Sequence, residues 1–280
     1  MTITINLDGR LGNQLFQYAT LRNLSIKKGY KFYFNTNFEC QGQENLLKYF
    51  NISNSSQLNE IKYHYYQPVN SNFFDSNIYN INDDTILNGY FENIEYFKEN
   101  DEIIKNELTI KDKQINEITD KYIYSIIDND SKLVGIHFRR GDILEPSFLH
   151  PKFGNIDNFN EFTKKYVYES LQTIMNTEKN ITLLIFTGGF RKDEPPDFSP
   201  NHSHNNDLLW IQEFALENKS KFNIHISPGT IENNVLLDYS LISKCDYVII
   251  PYLSTFSFMA SYVSKNIIKL FTPKNLYGTR

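Results

Sequence analysis

With 280 residues, of which 40% are hydrophobic and 15% aromatic, the chain has apolar material for one large or two modest domains. Its formal charge of −5 lacks the basic surplus of a general nucleic-acid binder, yet leaves room for a local basic site. The two cysteines, Cys40 and Cys245, lie far apart, so neither a disulfide framework nor a cysteine-based zinc site is indicated.

Met1 leads straight into the strand-like run Thr2–Leu7, with no basic or apolar leader pattern before it. No stretch reaches the length of a transmembrane span. The expectation is a soluble, cytoplasmic protein with no nucleic-acid partner, and association with the inner face of a membrane is compatible with it. A helical pattern follows from about Asn13 to Lys28, with Leu15, Phe16, Ala19 and Leu24 near one face. Lys31–Phe34 reads as a second strand. From Cys40 to about Asp84 the chain is aromatic, Asn-rich and irregular, and Pro68 breaks it. Helices are expected over Glu92–Leu108 and Lys111–Ile127. The polar run Asp128-Asn129-Asp130-Ser131 reads as a boundary, giving domains of residues 1–130 and 131–280.

Beyond that boundary the rhythm becomes regular. Strands are expected at Leu133–Phe138, Ile181–Phe186, Phe222–Ile226, Tyr247–Ile250 and Ile267–Leu270. Helices are expected at about Asn158–Met175, Leu208–Glu217, Asn234–Ser243 and Ser257–Ser264. Such alternation implies an α/β protein with a mostly parallel, doubly wound sheet. Between them, Arg191–Asn206 reads as a long loop.

The apolar strand Leu133–Phe138 breaks abruptly into Arg139-Arg140-Gly141-Asp142. In an α/β sheet, ligands bind beyond the carboxyl ends of strands. Two guanidiniums there present forked donors that match phosphate oxygens, and Asp142 can hold one fork in place. The plain alternative is a surface ion pair at a turn. Gly9-Arg10-Leu11-Gly12-Asn13-Gln14 follows the first strand, where glycine lets backbone amides approach a ligand at a helix start. It matches neither the dinucleotide fingerprint nor a Walker loop. Ser254-Thr255-Phe256-Ser257 places hydroxyls after the strand ending near Ile250, as ordinary caps or as part of a phosphate cradle. His137, Asp142, Glu145 and His150 are the acid/base candidates near the arginines. A metal site is not expected, since no Asp-x-Asp motif is present and His202 and His204 sit in a loop flanked by Asn and Ser.

Together, Gly9–Gln14, His137–Asp142 and Ser254–Ser257 resemble the α-1,2-fucosyltransferases of glycosyltransferase family 11. Asn88-Gly89-Tyr90-Phe91, with Tyr96-Phe97, is similar to a further segment of that family, as is Asp238–Cys245. The resemblance implies a GT-B-like fold of two Rossmann-like domains, GDP-fucose as donor, inversion at the anomeric carbon and no metal or other cofactor. The N-terminal domain would contact the acceptor glycan and the C-terminal domain would bind the GDP-sugar. By this resemblance Arg139 contacts the donor diphosphate, Arg140, Asp142 and His137 organise that site, and Ser254 and Thr255 bind phosphate. Gly12, Asn13 and Asp238 join the donor-binding set, and Glu145 stays a candidate base. A bacterial surface glycan such as an O-antigen or capsule is the expected product. The chain departs from the family at Thr187-Gly188-Gly189-Phe190, at Phe258-Met259 and at Asp246. A fucosyltransferase of another linkage such as α-1,6, a transferase using another GDP-sugar, or a silent glycan-binding module are the alternatives.

Overall fold

The computed structural model describes all residues except 36–44, 55–59, 69–72, 129, 146–148, 189–202, 274–275 and 279–280, and omits the side chains of 203–205 and 276. Two compact units emerge, one from Met1–Lys113 with the described residues beyond Pro273, the other from Gln114–Pro273.

In the first unit, β1 (Thr2–Ile5) is buried along its whole length and runs into α1 (Leu11–Lys28), which ends at Gly29 in a left-handed turn. β2 (Lys31–Tyr33), β3 (Tyr63–Tyr66) and β4 (Thr85–Asn88) complete a sheet of order β2-β1-β4-β3. Every pairing in it is parallel. α1 is buried on more than one face. Leu15, Phe16 and Leu24 pack in the core, while Tyr18 donates its hydroxyl to Glu107 Oε2 at 2.6 Å. Buried Asn23 donates to Tyr96 O and accepts from Asn100 Nδ2, so its desolvation is compensated. The expected helix over Glu92–Leu108 shortens to two 3-10 turns and α2 (Asp101–Glu107).

The second unit begins with α3 (Lys113–Ile126). The division therefore falls at the start of this helix and not at the polar run 128–131. The reason is side-chain pairing: Thr119 Oγ1 lies 2.8 Å from Ser240 Oγ, Tyr122 donates to Ile226 O, and Lys244 pairs with Asp120. At the other end of the chain, buried Tyr277 packs on Phe16 and belongs to the first unit.

After α3 come β5 (Lys132–Arg139), α4 (Ile156–Met175), β6 (Ile181–Gly188), α5 (Ser203–Asn218), β7 (Asn223–Ile226) and the short α6 (Pro228–Ile231). α7 (Val235–Ile242), β8 (Tyr247–Ile249), α8 (Thr255–Tyr262) and β9 (Lys269–Phe271) follow. The five strands form a wholly parallel sheet of order β7-β6-β5-β8-β9.

Alternation along β5 decides what each face carries. Val134, Ile136 and Phe138 join Leu183, Ile185, Val167, Leu171 and Phe214 in the core under α4 and α5. Gly135 and His137 point to the opposite face. There a Cβ on Gly135 would come within 2.9 Å of Cys245 Sγ, and His137 meets Ser257 and Phe256.

Candidate active site

Both sheets reverse their winding direction beside their first strand. In the second unit, β6 and β7 lie on one side of β5 and β8 and β9 on the other, so a crevice opens beyond the carboxyl ends of β5 and β8. Arg139 terminates β5, and Ser254 and Thr255 begin α8 after β8. The second and third sequence motifs thus meet at the topological switch point.

Strand alternation continues through the arginine pair. Arg139 follows His137 onto the α8 face. Its Nη2 donates to both Asp142 oxygens at 3.2 and 3.0 Å, and its Nη1 donates to Leu253 O at 3.2 Å. The pair is only part-buried, at 27% and 23% side-chain exposure, so the cation is oriented without being sealed from an incoming ligand.

Arg140 turns the other way. Its Nε donates to Asp207 Oδ1 at 2.8 Å and its Nη1 to Asn160 Oδ1 at 2.8 Å, with the guanidinium 4.3 Å above the Trp210 ring. Side-chain exposure is 9% for Arg140 and 2% for Asp207. The second Asp207 oxygen accepts the Gly141 N–H at 2.9 Å, and Gly141 has φ +61°, a conformation natural to glycine. This ion pair clamps the turn after β5. The expectation of two adjacent guanidiniums forming one phosphate clamp gives way to a division of labour, because neighbouring residues at a strand end face opposite ways.

His137 is buried, and its Nδ1 lies 2.5 Å from Ser257 Oγ. Burial, followed by the positive charge of Arg139, pushes its pKa down to about 3. The imidazole is therefore neutral near pH 7. Ser254 Oγ donates to Ser257 Oγ at 3.2 Å, which leaves the Ser257 hydrogen for His137 Nδ1. Ser254 also caps α8 by accepting the Ser257 N–H. Two bridges, Ser257 to His137 and Arg139 to Leu253, thus fix the distance between the end of β5 and the start of α8. His137 serves as a buried strut.

Asp238 lies elsewhere in the unit, at the β7–α6 connection. Its carboxylate accepts from Ser227 Oγ at 2.5 Å and from Thr230 Oγ1 at 2.8 Å, and burial raises its pKa to about 7. A Cβ on Gly229 would meet Asp238 Oδ1 at 2.5 Å, so only glycine fits against this carboxylate. Thr230 Oγ1 in turn accepts the Thr187 N–H at 3.3 Å, and Thr187 Oγ1 donates to Phe138 O at 2.9 Å. Asp238 reaches the end of β5 through this relay of hydroxyls.

Glu145 ends the 3-10 turn Gly141–Leu144 half-buried, its N–H bonded to Asp142 O. Asp246, the departure expected to matter, accepts Leu133 N–H at 2.9 Å and pairs with Lys132, which makes it a strand-end anchor. Gly12 and Asn13 belong to the first turn of α1, in the first unit. Of the departure at Thr187–Phe190, Thr187 and Gly188 close β6, while residues 189–202 lie outside the described residues; of the loop expected over Arg191–Asn206, Ser203–Asn206 instead open α5. Among the described residues no cluster of three or more His, Cys, Asp or Glu is placed as metal ligands. None of their helices is long and apolar enough to cross a membrane.

Sequence reasoning missed Asp207, Asn160 and Trp210. The available signal was weak: one tryptophan in 280 residues, set three positions after an aspartate on a helix of mixed polar and apolar residues.

A family profile described as glycosyl transferase family 11 matches residues 1–191. The fold is also similar to that of the fucosyltransferase NodZ from Bradyrhizobium, at 14% identity and TM-score 0.51 over 93% of this chain and 92% of that one. POFUT1 in complex with GDP gives 11% identity and TM-score 0.53, covering 96% and 98%. A variant of Arabidopsis thaliana FUT1 in complex with GDP gives 10% and 0.52, covering 98% and 72%. No curated protein sequence matches. At these identities the structural likeness establishes the α/β, GT-B-like fold.

Proposed function

Because the chain belongs to glycosyl transferase family 11, we propose that it moves fucose from GDP-fucose to a hydroxyl of a galactoside, with inversion and an α-1,2 linkage. The observation that carries this reading is the juxtaposition of the Arg139–Asp142 pair with the Ser254-capped start of α8 at the β5/β8 switch point.

The chemistry follows from charge. As the bond from the anomeric carbon to the diphosphate breaks, negative charge builds on the departing GDP. The part-buried Arg139 guanidinium, held by Asp142 and Leu253 O, meets that charge without reorganising. The amide N–H groups and the Thr255 hydroxyl at the start of α8 supply further donors to phosphate oxygens. On this reading no divalent cation takes part, and turnover persists in a chelator. The acceptor hydroxyl attacks from the face opposite the diphosphate and must lose its proton. Asp142 is committed to Arg139 and His137 is enclosed, which leaves Glu145 as the candidate base, together with the exposed His150, whose Nδ1 accepts the Lys152 N–H at 3.1 Å. Gly12 and Asn13 are proposed as members of the donor-binding set, and the first unit as the holder of the acceptor. The site operates in the cytoplasm, on precursors of a surface glycan.

GDP-fucose hydrolysis without acceptor, followed by acceptor profiling with linkage analysis, tests the proposal. Release of fucose together with an α-1,2-fucosyl galactoside supports it. An α-1,6 product replaces the linkage, hydrolysis of a different GDP-sugar replaces the donor, and inertness towards all of them overturns the enzyme reading.

A further inference from the structure

The first unit has its own switch point, between β1 and β4, and its chemistry differs from that of the second. Beyond the carboxyl ends of these strands, Asp8 Oδ2 accepts from Tyr90 OH at 2.9 Å, and buried Gln17 joins Asp8 N–H to Gly89 O. These bonds pin the two lips of the crevice together. Gly89, at φ +149°, lets the Gln67 side chain cross the end of β4, where Gln67 Oε1 accepts the Phe91 N–H at 2.8 Å. The rim is therefore rigid before any ligand arrives.

On this rim stands a short strip of uncharged groups. The parallel register pairs Tyr66 with Asn88, which places both side chains on one face of the sheet. Asn6 Nδ2 donates to Asn88 Oδ1 at 2.8 Å, so the same strip reaches across to β1. Asn88 Nδ2 donates to both Tyr65 O and Ile86 O at 3.3 Å, so Asn88 faces a ligand with its Oδ1 as an acceptor. Next to Tyr66 on that face, the His64 ring lies nearly parallel to it, at 11° and 5.9 Å between centroids. Tyr66 is 68% exposed. A large, flat, solvent-facing ring beside oriented amides offers a platform for the apolar face of a ligand. The buried side of β3 is provided by Tyr65, stacked on Phe91, so the core does not use the Tyr66 ring.

We propose that this strip binds a neutral pyranose unit of a glycan, with its apolar ring face on Tyr66 and its hydroxyls on Asn6 and Asn88. The chemistry selects that class. A sugar ring is apolar across its C–H face and polar at its edge, which matches one aromatic platform flanked by the Asn6 amide, which can donate and accept, and by Asn88 Oδ1, which accepts. None of the four side chains of the strip is Lys, Arg, Asp or Glu, so the His64 imidazole is the one partner that the strip offers an ionic ligand. Identifying the glycan as the acceptor rests on the glycosyl-transfer reading above, whereas binding itself does not.

The test is ligand-observed NMR titration of the full chain with methyl β-galactoside, lactose, methyl α-glucoside, methyl α-mannoside and N-acetylglucosamine. Wild type, Tyr66→Ala, Tyr66→Phe and Asn88→Ala are compared, with thermal melting as the control for folding. The expected result is binding of at least one sugar, weakened about tenfold in Tyr66→Ala, weakened in Asn88→Ala and retained in Tyr66→Phe. Binding by none of the five, or equal binding by wild type and Tyr66→Ala, overturns the proposal. So does a change in solution mass on Tyr66→Ala with no change in sugar binding, which assigns the edge to a contact between copies of the chain. GDP titration of wild type runs alongside. Tyr66-dependent sugar binding without GDP binding would leave the subsite standing and remove the GDP-sugar reading.

Discussion

The two switch points share a topology and differ in what lines them. Beyond β5 and β8 the groups are ionic, and each arginine has its own carboxylate: Arg139 with Asp142, Arg140 with Asp207. Beyond β1 and β4 the visible rim is built from Asn6, Asn88, Tyr90 and Tyr66, with one carboxylate, Asp8, tied to a phenol. A parallel sheet supplies a crevice wherever its strand order reverses, but the residues at the strand ends choose the ligand. On the readings proposed above, one crevice takes a diphosphate and the other a neutral polyol. The contrast can be broken at several points.

The largest expected effect comes from Arg140→Ala. It strands the almost fully buried Asp207 carboxylate, and loss of one partner from such a pair costs about 3–5 kcal/mol. Chemical denaturation should show a loss of that order, and a near-neutral result would contradict the clamp. Arg139→Ala should behave oppositely, because the side chain is part-exposed and its partner can rehydrate. We expect its melting temperature to hold while kcat/KM falls about 10²–10³-fold, the usual cost of removing one donor to developing charge.

A smaller effect comes from His137, whose folded-state pKa lies below its unfolded value. The stability it contributes is present above pH 6.5 and is lost as pH falls towards about 3, since the unfolded chain then binds a proton that the folded chain refuses. Between those values the slope from this group approaches about 1.4 kcal/mol per pH unit. Asp238, raised from 3.8 to about 7, works in the opposite sense over part of that range, because its folded form takes up protons first and loses stability as pH rises. Denaturation of wild type and His137→Gln across pH 4–7 separates the two, and only the wild type should carry the His137 slope. Equal slopes would show that the imidazole titrates normally. Smallest is Ser257→Ala, which removes the buried hydrogen bonds to His137 and from Ser254, each worth about 1 kcal/mol. Its stability loss should shrink in a His137→Ala background, and full additivity there would deny that the two residues interact.

The second unit was largely legible in the sequence because its strands are long or bounded by clear turns. Lys132–Arg139 and Ile181–Gly188 are eight-residue strands with apolar centres, and both were anticipated to within two residues at either end. The first unit was read only in part. β4 spans four residues between Asp84 and Gly89, too short for any periodicity to show. β3, Tyr-His-Tyr-Tyr, lies at the sheet edge with both Tyr63 and Tyr66 exposed, so burial imposes no alternation on it. At the site, the motif Arg139–Asp142 announced itself, but the opposed directions of the two arginines did not. That depended on the partners Asp207, Asn160 and Trp210, which come from helices 20 to 70 residues away and carry no spacing signature. Asp238 was expected in the donor-binding set; its hydrogen bonds tie it to Ser227 and Thr230, contacts that no spacing in the sequence announces.

The central claim is that Arg139 faces the diphosphate and Arg140 holds the turn that presents it. Calorimetric titration with GDP of wild type and Arg139→Ala, paired with their melting curves, tests it most directly. The account predicts binding to wild type and its loss in Arg139→Ala at unchanged melting temperature. GDP binding of equal strength by both proteins would contradict it.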